Sequence, residues 1–263
     1  MWHGTAKQAA EIFYRVNQGG VKLTKYQVLA ASWAHEFTDI KSGEIAEAAK
    51  QVLLPAAGSV LIKKQTAGVE SLDLYEALVG MSLLLGKKHP NLFKFKNSDD
   101  DAESAEVKDA LIAGAVPYFA FNIAALIGKT KLSEMSALAQ NLRACEYLIG
   151  KDGSLSVEML WWGIKEATAL VEKSLYMLGY ALQGANSIAH AEQPLAALIA
   201  RIAIEMLRLK SKGQDLTAFR KQTEAMIPGH YLRDVLGGIT ASHGTDTAAF
   251  ARVWQAIETD SGE

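Results

Sequence analysis

The feature that most constrains this chain is the spacing of its apolar residues. Between Ser156 and Gln183 they recur every third or fourth position, at Leu160, Ile164, Ala167, Val171, Leu175, Leu178 and Leu182, while Glu158, Lys165 and Glu172 share a different face. That period belongs to an α-helix with one buried stripe, bent at Gly163 or Gly179 if it bends at all. Pro194 to Lys210 repeats the pattern through Leu195, Leu198, Ile202, Met206 and Leu209, with Arg201 and Glu205 as an outward pair and Gly213 as a stop signal. Lys25 to Phe37 does so through Tyr26, Leu29, Trp33 and Phe37. Shorter helices are expected at Ser42–Leu53, Ser71–Gly86, Ser133–Ile149, Leu216–Met226 and Thr247–Ile257. Gly58–Lys64 is the one convincing strand, and one strand cannot make a sheet. The fold class predicted is therefore all-α, with at most a minor β element near 58–64.

A chain of 263 residues, 49% of them hydrophobic, buries a substantial core without disulfides or metals. Cys145 is the single cysteine, so neither an intrachain disulfide nor a thiolate zinc site can form. A reducing, cytoplasmic setting is expected, because "MWHGTAKQAAEIF" lacks the basic and apolar regions of a secretory signal. Polar residues 97–106 suggest an amino-terminal helical segment, 1–97, and a carboxy-terminal bundle, 107–263, or one continuous domain. Ala110–Gly128 carries no charge and approaches membrane-spanning length. Pro117, Asn122 and its many alanines favour two buried helices instead, and no membrane partner is expected.

A net charge of −2 gives no global attraction to nucleic acid. One local exception is "GKKHPNLFKFKN", where Lys87, Lys88, Lys94 and Lys96 interleave with Phe93 and Phe95. These residue types neutralise phosphate and stack on bases, but "SDDDAESAE" follows directly, so a polar loop whose two charge blocks partly cancel is the preferred reading.

The best candidate for chemistry is "EIFYRVNQGGVKLTKYQ". Ala9, Ile12, Phe13 and Val16 form a helical stripe that Gly19-Gly20 ends; Thr24 and Gln27 form a capping box, and Leu23 with Val28 a hydrophobic staple, for the next helix. The turn between them exposes glycine amides, helix amino-terminal amides and Lys22, a grouping suited to phosphate. A glycine pair between two capped helices also needs no ligand to explain it.

The phrase "IFYRVNQGGVKLTKYQVLAASW" resembles the second signature of the GmrSD-type restriction endonuclease family, in its ParB-like amino-terminal domain. Phe13, Arg15, Asn17, Gly19, Gly20, Leu23 and Thr24 match it, and "LSEMSALAQNL" and "SIAHAEQPLAALIARIAI" are similar to the helical region that follows. The resemblance implies that Arg15, Asn17, Gly19, Gly20, Lys22 and Thr24 contribute to a site for a nucleoside triphosphate with magnesium. The family's earlier Asp-Gly-Gln-Gln-Arg signature and its His-Asn-His nuclease domain are not in this sequence. A truncated or split family member is expected, its site completed by a missing ParB-like half and inactive alone. Its implied partners are a nuclease subunit or domain and, within a larger assembly, DNA; a homo-oligomer is allowed.

His190 and Glu192, just before Pro194, are the best titratable cluster elsewhere, with a base, ligand or helix-capping role. No further ligands accompany them, and no metal site is predicted. Two alternatives to the restriction reading stand: a non-catalytic helical module that binds a partner subunit or nucleic acid, and a hydrolase built on His190 and Glu192. Cys145 is expected in the core, on the spacing Leu142–Cys145–Ile149, and of Trp161 and Trp162, about a hundred degrees apart on a helix, one is expected to mark an interface.

Overall fold

A computed structural model of the chain describes residues 43–53, 71–89, 119–176, 192–236 and 250–254, together with Trp33, Thr38, Ile40 and Leu92. The expected strand, the helix over 25–37 apart from a buried Trp33, and residues 177–191 lie outside the described set. The described residues are all-α, with no strand or sheet among them. The chain divides into two compact units, residues 1–83 with 97–116, and residues 84–96 with 117–263.

In the first unit α1, Glu44–Leu53, follows Gly43, whose φ of 108° is open to glycine at little cost. Glu44 and Glu47 sit in its first turn and Lys50 in its last, matching the helix dipole. α2, Leu74–Lys88, which belongs to this unit as far as Leu83, starts three residues later than Ser71 because Asp73 and Glu76 form a reciprocal cap. The Asp73 amide donates to Glu76 Oε2 at 2.7 Å, and the Glu76 amide donates to Asp73 Oδ1 at 2.9 Å. Gly80 lets α1 and α2 approach closely, since a Cβ there would meet the Ile45 carbonyl oxygen.

The second unit is built around α6, Glu192–Ser211, which packs against α3, Phe119–Ile127, α5, Val157–Tyr176, and α7, Thr217–Leu236. Enclosure by three helices explains why α6 is buried on more than one stripe: Ala196, Ile199, Ala203, Ile204 and Leu207 join Leu195, Ile202 and Met206 in the core. α5 buries Leu160, Ile164, Ala167, Val171 and Leu175, the expected stripe. A Cβ on its Gly163 would lie 2.8 Å from Leu207 Cγ, so the missing side chain sets the spacing of α5 and α6. α3 is buried from Ala120 to Ile127. No helix among the described residues is long and apolar enough to cross a membrane.

Three expectations are corrected. The segment 133–149 is not one helix: a 3-10 turn, Leu132–Ala137, leads into α4, Leu138–Arg143, and a second 3-10 turn, Glu146–Leu148, follows. Glu134 is non-helical at φ −116° and ψ 26°, and Cys145 is extended, so Cys145 lies in a turn beyond α4 and not on its face. The helix expected to end at Met226 runs on to Leu236 through Pro228. An internal proline costs about 3 kcal/mol of helix stability; burial of Ile227 and Tyr231 on either side and an Asp234–Arg252 ion pair beyond it offset that cost. Glu205, expected as the outward partner of Arg201, accepts from Arg208 Nη1 at 2.9 Å. The stop at Gly213 is as expected: φ is 68°, and the amides of Gly213 and Gln214 donate to Lys210 and Leu209 at 3.0 and 2.9 Å.

Candidate functional site

Arg15, Asn17, Gly19, Gly20, Lys22, Thr24 and His190 lie outside the described residues, and Glu192 opens α6. What the described residues do bring together is a groove of about 430 Å³ between α6, α7 and the helical residues 250–254. α6 contributes Leu198, Arg201, Ile202, Glu205 and Arg208 from one face. α7 contributes a continuous face as well, apolar at Phe219, Met226 and Ile227 and polar at His230, Arg233 and Asp234. Ion pairs from α5 hold α7 in place, Glu166 to Arg220 at 2.6 Å and Lys173 to Glu224 at 2.7 Å. Asp215 caps it by accepting from the Thr217 amide at 3.1 Å.

The polar half of the groove is rich in guanidinium groups. Arg252 reaches Asp234 through both Nε and Nη2, a two-point contact that fixes its plane. Arg233 Nη2 donates to His230 Nδ1 at 2.8 Å. Because arginine has only donors, His230 Nδ1 must accept, which leaves the imidazole neutral with its proton on Nε2. The electrostatics agree: burial, then the positive charges of Arg233 and Arg201, lower the His230 pKa below its ordinary 6.5, more than Asp234 raises it.

A second cavity lies on the other side of Arg208, lined by Gly128, Lys129, Asn141, Cys145, Tyr147 and Trp254 among others. Its thiol, phenol and indole donors are turned into the backbone. Cys145 Sγ lies 3.4 Å from the Asn141 carbonyl oxygen and 3.7 Å from that of Ile127, which also accepts from Tyr147 Oη at 3.3 Å. Trp254 Nε1 donates to the Leu126 carbonyl at 2.7 Å. Burial raises the Cys145 thiol, outweighing the lowering effects of Tyr147 and Arg208, and burial likewise pushes up the Tyr147 phenol. A thiol held protonated in this way is a poor nucleophile.

His89, just after α2, forms a third polar feature: its Nδ1 meets Glu172 Oε2 on α5 at 2.7 Å, with the imidazole nearly buried. The pair lines neither cavity and closes packing. Trp162 is covered by Lys210 Nζ, 3.5 Å from the ring centroid, while Trp161 is in the core. Among the described residues no group of three or more His, Cys, Asp or Glu side chains is placed to hold a metal ion.

Comparison with known proteins finds no matching family model, no matching curated protein and no matching solved structure. Sequence reasoning missed the groove because its cations come from three separate segments. One signal was present: Arg201, Glu205 and Arg208 recur at helical spacing on a single face of α6, and His230, Arg233 and Asp234 do so on α7.

Proposed function

We propose that this chain is the helical portion of a GmrSD-like restriction or phage-defence protein, working in the cytoplasm. In this reading it supplies Arg15, Asn17, Gly19, Gly20, Lys22 and Thr24 to a nucleoside triphosphate and magnesium site. A ParB-like half completes that site, and a nuclease subunit or domain acts on DNA in the assembled complex. The observation that carries the reading is the ordered match of Phe13, Arg15, Asn17, Gly19, Gly20, Leu23 and Thr24 to one signature, followed by helical sequence. The all-α architecture of the described residues supports it. Glycine amides beside a capped helix start also suit a triphosphate chemically.

The test is calorimetric titration of nucleoside triphosphates with magnesium into the chain, alone and with a ParB-like half supplied as a separate polypeptide. A Gly19→Val, Gly20→Val variant of unchanged helicity serves as control. Binding that appears or strengthens with the added half, and is lost in the variant, is expected. No nucleotide response in either condition, together with a stable complex, would replace the reading with a non-catalytic interaction module.

A further inference from the structure

We propose that the groove between α6 and α7 binds a small organic oxyanion, a phosphate or carboxylate carried on an apolar body. The site uses none of residues 15–24 and goes beyond the nucleotide site proposed above. Three observations carry it.

The first is charge. Arg201, Arg208, Arg233 and Arg252 line the groove together with two carboxylates, Glu205 and Asp234. The carboxylates are themselves engaged, Glu205 by Arg208 and Asp234 by Arg252 with Arg233 at 3.6 Å. They brace the guanidinium planes along the wall, and planar, braced guanidinium groups are suited to two-point recognition of phosphate or carboxylate. The second is His230, fixed as a neutral Nε2–H donor by the bond from Arg233. The proton is disfavoured there first by burial of the ring and then by the positive charges of Arg233 and Arg201.

The third is the apolar part of the wall. Leu198 and Ile202 on α6 and Phe219, Met226 and Ile227 on α7 form it, and Met226 is 47% exposed, a large hydrophobe presented at the groove. Apolar lining with a few convergent polar groups, in a cavity of about 430 Å³, has the size and character of a small-molecule site. A bare ion would leave that wall unused; an apolar body behind the anionic head would cover it.

The experiment titrates phenyl phosphate, phenylacetate and inorganic phosphate into the full chain by calorimetry. One-site binding of at least one aromatic anion is expected, about tenfold or more tighter than inorganic phosphate, and the phosphate and carboxylate arms show which head the groove takes. Arg233→Gln, at a side chain 58% exposed, is expected to weaken binding about tenfold, as loss of one charge-assisted hydrogen bond does. Met226→Glu places a carboxylate at the groove without disturbing the core and is expected to weaken it as well. Lys221→Gln removes the same charge outside the groove and should bind as the unaltered protein does. Absence of saturable binding by both aromatic anions would overturn the proposal. So would equal affinity for inorganic phosphate, or equal behaviour of the Arg233, Met226 and Lys221 variants.

Discussion

The two cavities that meet at Arg208 use their polar side chains in opposite ways. Arg208 lines both, giving Nη1 to Glu205 on one side and lying 5.8 Å from the Tyr147 ring centroid on the other. In the α6–α7 groove, side chains pair with one another along the walls, so direction and charge remain available to a ligand. In the Cys145 cavity, thiol, phenol and indole donors are directed at main-chain carbonyls. A donor satisfied by backbone is structural, whatever its reputation as a nucleophile or acid. The chain's one thiol is thus held in a structural role, and the arginines of the groove are the better candidates for binding.

The contrast is most strongly tested at Asp234. Asp234→Ala removes the brace on Arg252, and we expect a stability loss of about 1–3 kcal/mol in urea unfolding, between the values for exposed and buried ion pairs. The same variant should bind phenyl phosphate more tightly, because the groove gains a positive charge; weaker binding would show that the carboxylate's bracing matters more than its charge. A smaller effect is expected in the other cavity. Iodoacetamide should alkylate Cys145 more slowly than free cysteine at neutral pH, with a rate still climbing above about pH 9, as a raised thiol pKa requires. Fast modification at neutral pH would reveal an activated thiolate and erase the distinction.

The smallest effect is at His230. Its folded-state pKa is lowered, so on acidification from 6.5 the unfolded chain takes the proton first. Stability therefore rises with pH across the interval from the folded value up to 6.5 and levels off above it. Urea midpoints between about pH 5 and 7 should fall on acidification less steeply in His230→Asn than in the unaltered chain, by a modest amount because the ring is partly exposed. Identical slopes would mean that burial and the arginines together do not lower the pKa of the ring.

Legibility followed range. The helical stripe of α5, the glycine stop after α6 and the all-α class could be read from spacing because each is decided within a few turns. α6 was only partly legible: Leu195, Ile202 and Met206 of its stripe are buried but Leu198 and Leu209 are half-buried, and its burial beyond that stripe depends on three neighbours that spacing cannot count. Local rules also misled where tertiary contacts overrode them. The helix expected to end at Met226 is carried on through Pro228 with Ile227, Tyr231 and Asp234 anchoring it, and the apolar pattern of 133–149 concealed two 3-10 turns. His89 and Glu172 lie 83 positions apart, and nothing in either neighbourhood announces the other. The groove is a similar case, with Arg201, Arg233 and Arg252 assembled by folding. The signature residues 13–24 lie outside the described residues, so their role stays with the nucleotide titration.

Pro228 also divides the groove wall. Without an amide hydrogen it cannot donate to the Glu224 carbonyl, and the hydrogen-bond ladder of α7 is interrupted there. Phe219 and Met226 precede the break, whereas His230, Arg233 and Asp234 follow it. The apolar and cationic parts of the wall are therefore two segments of one helix joined at a weak link. A molecule resting its body on one and its head on the other would act as a splint across the proline, stiffening α7 by bridging its two halves from outside.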